Sequence, residues 1–171
     1  MKETAIRMAV SIASACILDF AAAPLLAPLA SVSLPLPLEG LFLAYPMLRL
    51  RIDASLPTCM LLGGLAGAGT QAGPVWTLFA FGFTCLFCSP LVRTSRPASP
   101  LQIALATAFA AAALNIAMVL ARHPTGADAN WMRTAVDASM AALVSGWLCV
   151  PWIRIQEAAA SMLIRQNREA A

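Results

Sequence analysis

Charge is what this sequence has least of: 11% of its 171 residues are Asp, Glu, Lys or Arg, against roughly 25% in soluble domains. There is one histidine, His123. It stands beside Pro124 in a polar stretch, where a solvated turn residue is expected rather than a metal ligand or a catalytic base. No P-loop, HExxH or GxSxG motif occurs. The five cysteines are odd in number, which argues against a disulfide framework. All of them (Cys16, Cys59, Cys85, Cys88 and Cys149) fall inside apolar segments. Cys85 and Cys88 have CxxC spacing, which puts both thiols on one helix face. A structural metal site would need two more ligands nearby, and a redox pair favours the start of a helix beside a strand. We therefore expect small buried hydrophobes there, no metal, no cofactor and no enzymatic activity.

What is present is apolar. Hydrophobic residues make up 60% of the chain and mean hydropathy is +0.78. A soluble fold of this length could not hide so much apolar surface. Six segments stand out: Ala5 to Leu25, Leu36 to Leu48, Pro57 to Ala72, Val75 to Val92, Leu101 to Ala121 and Thr134 to Ile153. They occupy nearly the whole sequence. Lys2 and Arg7 ahead of the first run also match a signal peptide with a cleavage site at Ala21 to Ala23, but Asp19 interrupts the run before those small residues.

The basic residues fall on alternate gaps. With the N-terminus inside, the inner side carries Lys2, Arg7, Arg49, Arg51, Arg93, Arg96, Arg154, Arg165 and Arg168, and the outer side only Arg122 and Arg133. That is the positive-inside pattern, so both termini are expected in the cytoplasm. The acids show no such bias. The net charge of +3 then reflects loop residues that hold orientation and meet anionic lipid, not a nucleic-acid surface. The expected fold is an all-α integral membrane protein with six transmembrane helices over residues 1–155. A cytoplasmic amphipathic helix is expected over 156–171, with Ile155, Ala159 and Met162 on its apolar face.

Prolines at 24, 28, 35 and 37 predict that the first helix stops early and that 30–38 is non-helical. Glu39 then opens the second span, suited to the positive end of the helix dipole, and Pro46 is expected to kink it. The third segment holds one GxxxG pair, Gly63 with Gly67, and its Gly69 forms a second with Gly73 just beyond. Glycines four apart let helix backbones approach closely, which matters in lipid because apolar burial offers no drive to associate. An interior helix sheltered by its neighbours is expected. The aromatic fourth segment should cover a small-residue neighbour. Ala104, Ala108 and Ala112 in the fifth and Ser145-Gly146 in the sixth are further small-residue patches. Asp19, Glu39, Gln71, Asn115 and Asp137 are the polar residues within or beside the spans. The three acids are expected within a turn or two of the outer surface, with Arg133 a partner for Asp137, and Asn115 should face another helix.

Three stretches carry a resemblance. Pro35 to Leu50 places prolines before an apolar helix that runs into arginines. The second is Gly63-Gly64-Leu65-Ala66-Gly67-Ala68-Gly69-Thr70-Gln71. The third is Leu143-Val144-Ser145-Gly146-Trp147-Leu148-Cys149-Val150-Pro151-Trp152. In order and spacing they resemble the rod shape-determining MreD family of bacterial membrane proteins. Gly63, Gly67, Gly146, Pro151 and Arg154 match its pattern. Gln71 stands where the family usually has aspartate, and Ser145 where it tends to have asparagine. The resemblance implies a non-enzymatic scaffold of the bacterial inner membrane, within the cell-elongation and peptidoglycan-synthesis machinery. Its implied partners are an MreC-like protein, the MreB cytoskeleton and the elongation peptidoglycan synthases. A second resemblance is to the substrate-binding S components of energy-coupling-factor transporters, similar in size and six-helix bundle. Those use alanines four apart on the first helix for docking, as Ala9 and Ala13 would. An S component needs a polar outer pocket, for which Asp19, Glu39, Asn115 and Asp137 are the candidates.

Overall fold

The computed structural model describes residues 2–31, 38–68, 73–93, 99–122 and 130–169, and every regular element among them is α-helical. Six helices follow in order: α1 (Lys2–Ser31), α2 (Glu39–Arg49), α3 (Ile52–Gly67), α4 (Pro74–Arg93), α5 (Pro100–Arg122) and α6 (Trp131–Glu169). Three of them, α1, α5 and α6, are long and apolar enough to cross a membrane, and α3 and α4 are shorter apolar helices.

The helices start where local chemistry lets them. Ser99 and Gln102 cap α5 reciprocally: the Gln102 amide donates to Ser99 Oγ at 3.2 Å and the Ser99 amide to Gln102 Oε1 at 2.8 Å. This is a capping box with Pro100 at the first helical position, where a missing N–H costs nothing. Asn130 caps α6 by accepting from the Arg133 amide at 3.1 Å. Gly73, at φ +79, takes the left-handed turn that leads into Pro74 and α4.

Five helices close a ring (α1 against α6, α6 against α5, α5 against α4, α4 against α3, α3 against α1), and the eleven-residue α2 stands at its hub, touching all five. Gly40 through Met47 are buried without a break. A helix with no polar face has to be surrounded, and between Glu39 and Arg49 this one has no charged residue. Its hub position corrects the expectation that the glycine helix is the enclosed one: α3 leaves Leu61 and Leu65 exposed. At about 1.5 Å per residue α2 is about 16 Å long, roughly half a hydrocarbon core.

Side chains are sorted by size rather than by polarity. The interior is rich in Ala, Ser, Thr and Cys, whereas Phe20 (85% exposed), Trp147 (82%), Trp76, Phe79, Phe83 and Phe87 point outward. Of the aromatic residues on α4, Phe81 alone is fully buried, packing on Gly63. The aromatic character of that segment therefore belongs mainly to the outer surface, not to the cover over a neighbour. Bulk outside and small residues inside suit a bundle in lipid, whose tails solvate large apolar groups while close backbone approach holds the helices together.

Two helix ends differ from expectation. α1 continues past Pro24 and Pro28 to Ser31. α6 runs unbroken through Pro151 and through the boundary placed at residue 155, 39 residues in all. Its last third lies antiparallel along the start of α1, with Gln156 joined to Ser14 and Arg168 to Glu3.

Candidate functional site

Two kinds of site are built by this packing: the seams that hold helices together and the polar groups that the bundle gathers or leaves apart. The tightest seam is α3 on α4. A β-carbon placed on Gly63 would lie 2.6 Å from the Thr77 carbonyl oxygen and 2.8 Å from Phe81 Cβ, and one on Gly67 would lie 2.7 Å from Pro74 Cα. Gly64, one residue along, has only Leu78 Cδ1 at 3.9 Å. Farther down the same seam, Ser55 Oγ is 3.3 Å from Cys85 Sγ, which is 3.6 Å from Ser89 Oγ. Cys59, Cys85 and Cys88 are buried there, while Cys16 is exposed. Among the described residues no group of three or more His, Cys, Asp or Glu could hold a metal ion.

The second seam joins α5 to α6. Gly146 faces the Ala104 carbonyl oxygen and Ala108 Cβ, each 3.2 Å from where its β-carbon would be. The alanine ladder on α5 is thus the surface that Gly146 packs on. Gly40 makes the third close approach: its β-carbon would fall 2.6 Å from Ser145 Oγ and collide with Ala111. It is this glycine that lets α2 sit at the hub. No GxxxG partner marks it in the sequence. The signal available was its place in an uncharged run that is apolar on every side.

The polar centre lies where α1, α2 and α6 meet. Arg7 Nη1 donates to both carboxylate oxygens of Glu157 at 3.0 Å and to the Tyr45 hydroxyl at 3.3 Å. Arg49 Nε stands 3.5 Å from the same carboxylate. One acid thus bridges two guanidiniums from different helices, leaving the cluster with a net charge of about +1. Tyr45 is fully buried, so Arg7 supplies the partner that its hydroxyl needs. Beside it, Gln156 is 2% exposed and donates to Ser14 Oγ. None of Tyr45, Gln156 and Glu157 was singled out from the sequence. Gln156 and Glu157 are adjacent, but the residues they meet, Ser14 and Arg7, stand 142 and 150 positions away along the chain, and no motif joins them. The arrangement can fasten helices and present positive charge; it holds no nucleophile poised beside a base.

The other polar candidates are spread over α1, α2, α5 and α6. Asp137 is 3.8 Å from Arg133 on its own helix. Asn115 is half-buried on α5. Glu39 opens α2 in its first turn. Asp19 borders a crevice of about 30 Å³ with Phe42, Leu62 and Ala66 among its walls. It lies twelve residues before the end of α1 at Ser31, beside Phe42, three residues into α2, and Ala66, one residue before the end of α3. Gly69, Gln71 and His123 lie outside the described residues.

Comparison of the chain with protein families, with curated proteins and with solved structures finds no match.

Proposed function

We propose that this chain is a multi-pass scaffold of a bacterial inner membrane, crossing it six times with both termini in the cytoplasm and serving the cell-elongation machinery through helix-to-helix contacts. The observation that carries the scaffold reading is the filled hub. Leu43, Ala44 and Tyr45 are fully buried at the centre of the ring. The crevice beside Asp19, at about 30 Å³, has room for about one water, where small-molecule sites measure roughly 300–1,000 Å³. The outward-facing aromatic and aliphatic side chains offer surface to lipid and to partner helices. Orientation is supported by the basic residues, and the position of Arg7 and Arg49 in one cluster agrees with both lying at the inner interface. The link to cell elongation rests on the MreD-like order of the three stretches. An MreC-like protein and the elongation peptidoglycan synthases are then the expected partners.

The S-component reading has one observation in its favour. Ala9 and Ala13 line an open apolar groove of about 460 Å³ between α1 and the last turns of α6, bounded by Leu163 and Asn167. The two readings part in one experiment. Depletion in a rod-shaped host should give rounded cells, and the chain purified from mild detergent should bring MreC-like and synthase proteins with it. Normal shape, together with tight one-to-one binding of a vitamin by the purified chain, would replace the scaffold reading with the transporter one.

A further inference from the structure

The polar centre between α1, α2 and α6 holds more positive charge than the fold neutralises. Glu157 meets Arg7 with both carboxylate oxygens, at 3.0 Å. Arg49 reaches that carboxylate through Nε alone, at 3.5 Å, and its two amino groups have no partner among the described residues. Arg154 precedes Glu157 by three residues on α6, which makes the two neighbours on the helix surface. It is exposed and has no ion pair or hydrogen bond among the described residues. Three guanidiniums thus gather round one carboxylate. Tyr45 fixes their level. Its hydroxyl accepts from Arg7, and it shares a core cluster with Ile103 and Ala104. Those two stand within about 6 Å of the start of α5 at Pro100, one end of a helix long and apolar enough to cross a membrane. Arg49, the last residue of α2, lies one turn beyond Tyr45. The cations therefore fall in the layer, about 5–7 Å deep, that separates hydrocarbon from water. Ile52, just past Arg49, and Ile155, next to Arg154, are exposed apolar side chains at the same level.

We infer that Arg49 and Arg154 form a binding site for the phosphate of an anionic phospholipid, with the Arg7–Glu157 pair as its fixed wall. Depth and charge together select this occupant. In the interfacial layer, beside exposed isoleucines that an acyl chain can lie against, the abundant anion is the lipid phosphodiester. A guanidinium whose two amino groups are free matches two phosphate oxygens at once. Glu157 does not repel the anion strongly, because Arg7 engages both of its oxygens. A second copy of the chain offers no free acid at this end: Glu3, Asp53, Glu157 and Glu169 are each paired with an arginine of their own chain. A phosphate held by Arg49 and Arg154 ties the end of the hub helix to α6 at the membrane surface. The inference rests on the membrane reading and goes beyond the scaffold one, since it assigns a ligand that neither the orientation nor a protein partner requires.

The test uses the full chain in vesicles, carrying Trp76→Phe, Trp131→Phe and Trp147→Phe. All three positions are exposed, and Trp152, two residues from Arg154, is then the sole reporter. Quenching of its fluorescence by dibrominated phosphatidylglycerol, against dibrominated phosphatidylcholine, gives the relative affinity of the two lipids. Phosphatidylglycerol should bind roughly thirtyfold more tightly, about fivefold for each of the two guanidiniums. Arg49→Gln and Arg154→Gln should each remove about one fivefold step. Arg154→Gln breaks no pairing within the chain, so its unfolding in phosphatidylcholine should match that of the parent and keep the test sound if Arg49→Gln loosens the bundle. Arg165→Gln removes the same charge about three turns farther along α6, at a residue paired with Glu169, and should change nothing. Equal quenching by the two lipids overturns the inference. So does an equal loss in Arg165→Gln and Arg154→Gln, which would reduce the effect to general charge attraction. Displacement of the lipid by excess inorganic phosphate, against potassium chloride of the same ionic strength, would give the site to a solution anion. Displacement by soluble polyglutamate would give it to an acidic protein. Either result overturns the inference. A chain that does not enter the vesicles overturns the membrane reading together with this one, whereas a chain that enters and shows no lipid preference overturns this one alone.

Discussion

Gly63 and Gly64 are adjacent, share one helix, and should respond oppositely to the same methyl group. At Gly63 the added carbon would lie 2.6 Å from the Thr77 carbonyl oxygen and 2.8–2.9 Å from Phe81 Cβ and Cγ. The obstacles are a helix backbone and the root of an aromatic ring, neither of which can swing aside. Relief requires α3 and α4 to part by the better part of an ångström along their whole seam, and overpacking of this kind costs about 1–3 kcal/mol. At Gly64 the methyl would meet only the end of Leu78 at 3.9 Å, an ordinary contact. Both variants gain the same helix propensity, about 1 kcal/mol for replacing glycine by alanine, so that gain cancels in their difference. Gly64→Ala should therefore exceed Gly63→Ala in unfolding free energy by about 1–3 kcal/mol, roughly a five- to 150-fold ratio of unfolding constants. Titration with sodium dodecyl sulfate in mixed micelles, followed by tryptophan fluorescence, measures it. Equal midpoints for the two variants, or a less stable Gly64→Ala, would refute the close α3–α4 approach.

Three further outcomes are expected. Glu157→Ala leaves Arg7 and Arg49 facing each other without the acid that bridges them; with 33% of the Glu157 side chain exposed, solvent screening keeps the loss to about 1 kcal/mol. Glu157→Gln should lose less, and limited proteolysis of the last turns of α6 should rise in that order; equal protection in all three proteins would mean the bridge does not hold α6 down. The Arg168 guanidinium, hydrogen-bonded to Glu3, holds that carboxyl below its ordinary range. The contact is therefore intact at neutral pH and is lost as pH falls through this lowered value, below the usual carboxylate pKa of about 4.3. Spin labels at Thr4→Cys and Asn167→Cys, in a background without native cysteines, should keep their separation until that range, and lengthening already at about pH 6 would exclude a carboxylate origin. In the same background, Arg165→Cys should react with impermeant reagents only from the cytoplasmic side and Thr125→Cys only from outside; the reverse would overturn the topology.

Composition and periodicity carried the helices themselves. A chain this apolar, with turn residues and charges in its gaps, has few ways to satisfy its backbone other than by helices, since in lipid every N–H and C=O must pair within its own segment. The glycine spacing at 63 and 67 marked a close approach because removing a side chain is what lets two backbones meet. Asp137 and Arg133, one helical turn apart, were legible for the same local reason. Proline was the misleading signal. Pro24 and Pro28 read as a stop, yet α1 continues to Ser31, because a lone lost hydrogen bond does not end a helix whose neighbouring groups can adjust.

What the sequence by itself determined is which segments are helical, which ends carry positive charge, and where small residues permit contact: each depends on residues within a turn or two of one another. Tertiary structure alone decided which helix sits at the hub. α2 and α3 are both short and apolar, and only the ring of five around α2, with Gly40 against Ser145, separates the enclosed helix from one at the rim. It also decided which polar groups are answered. Arg7 and Glu157 stand 150 residues apart, so their pairing depends on α1 and α6 lying antiparallel.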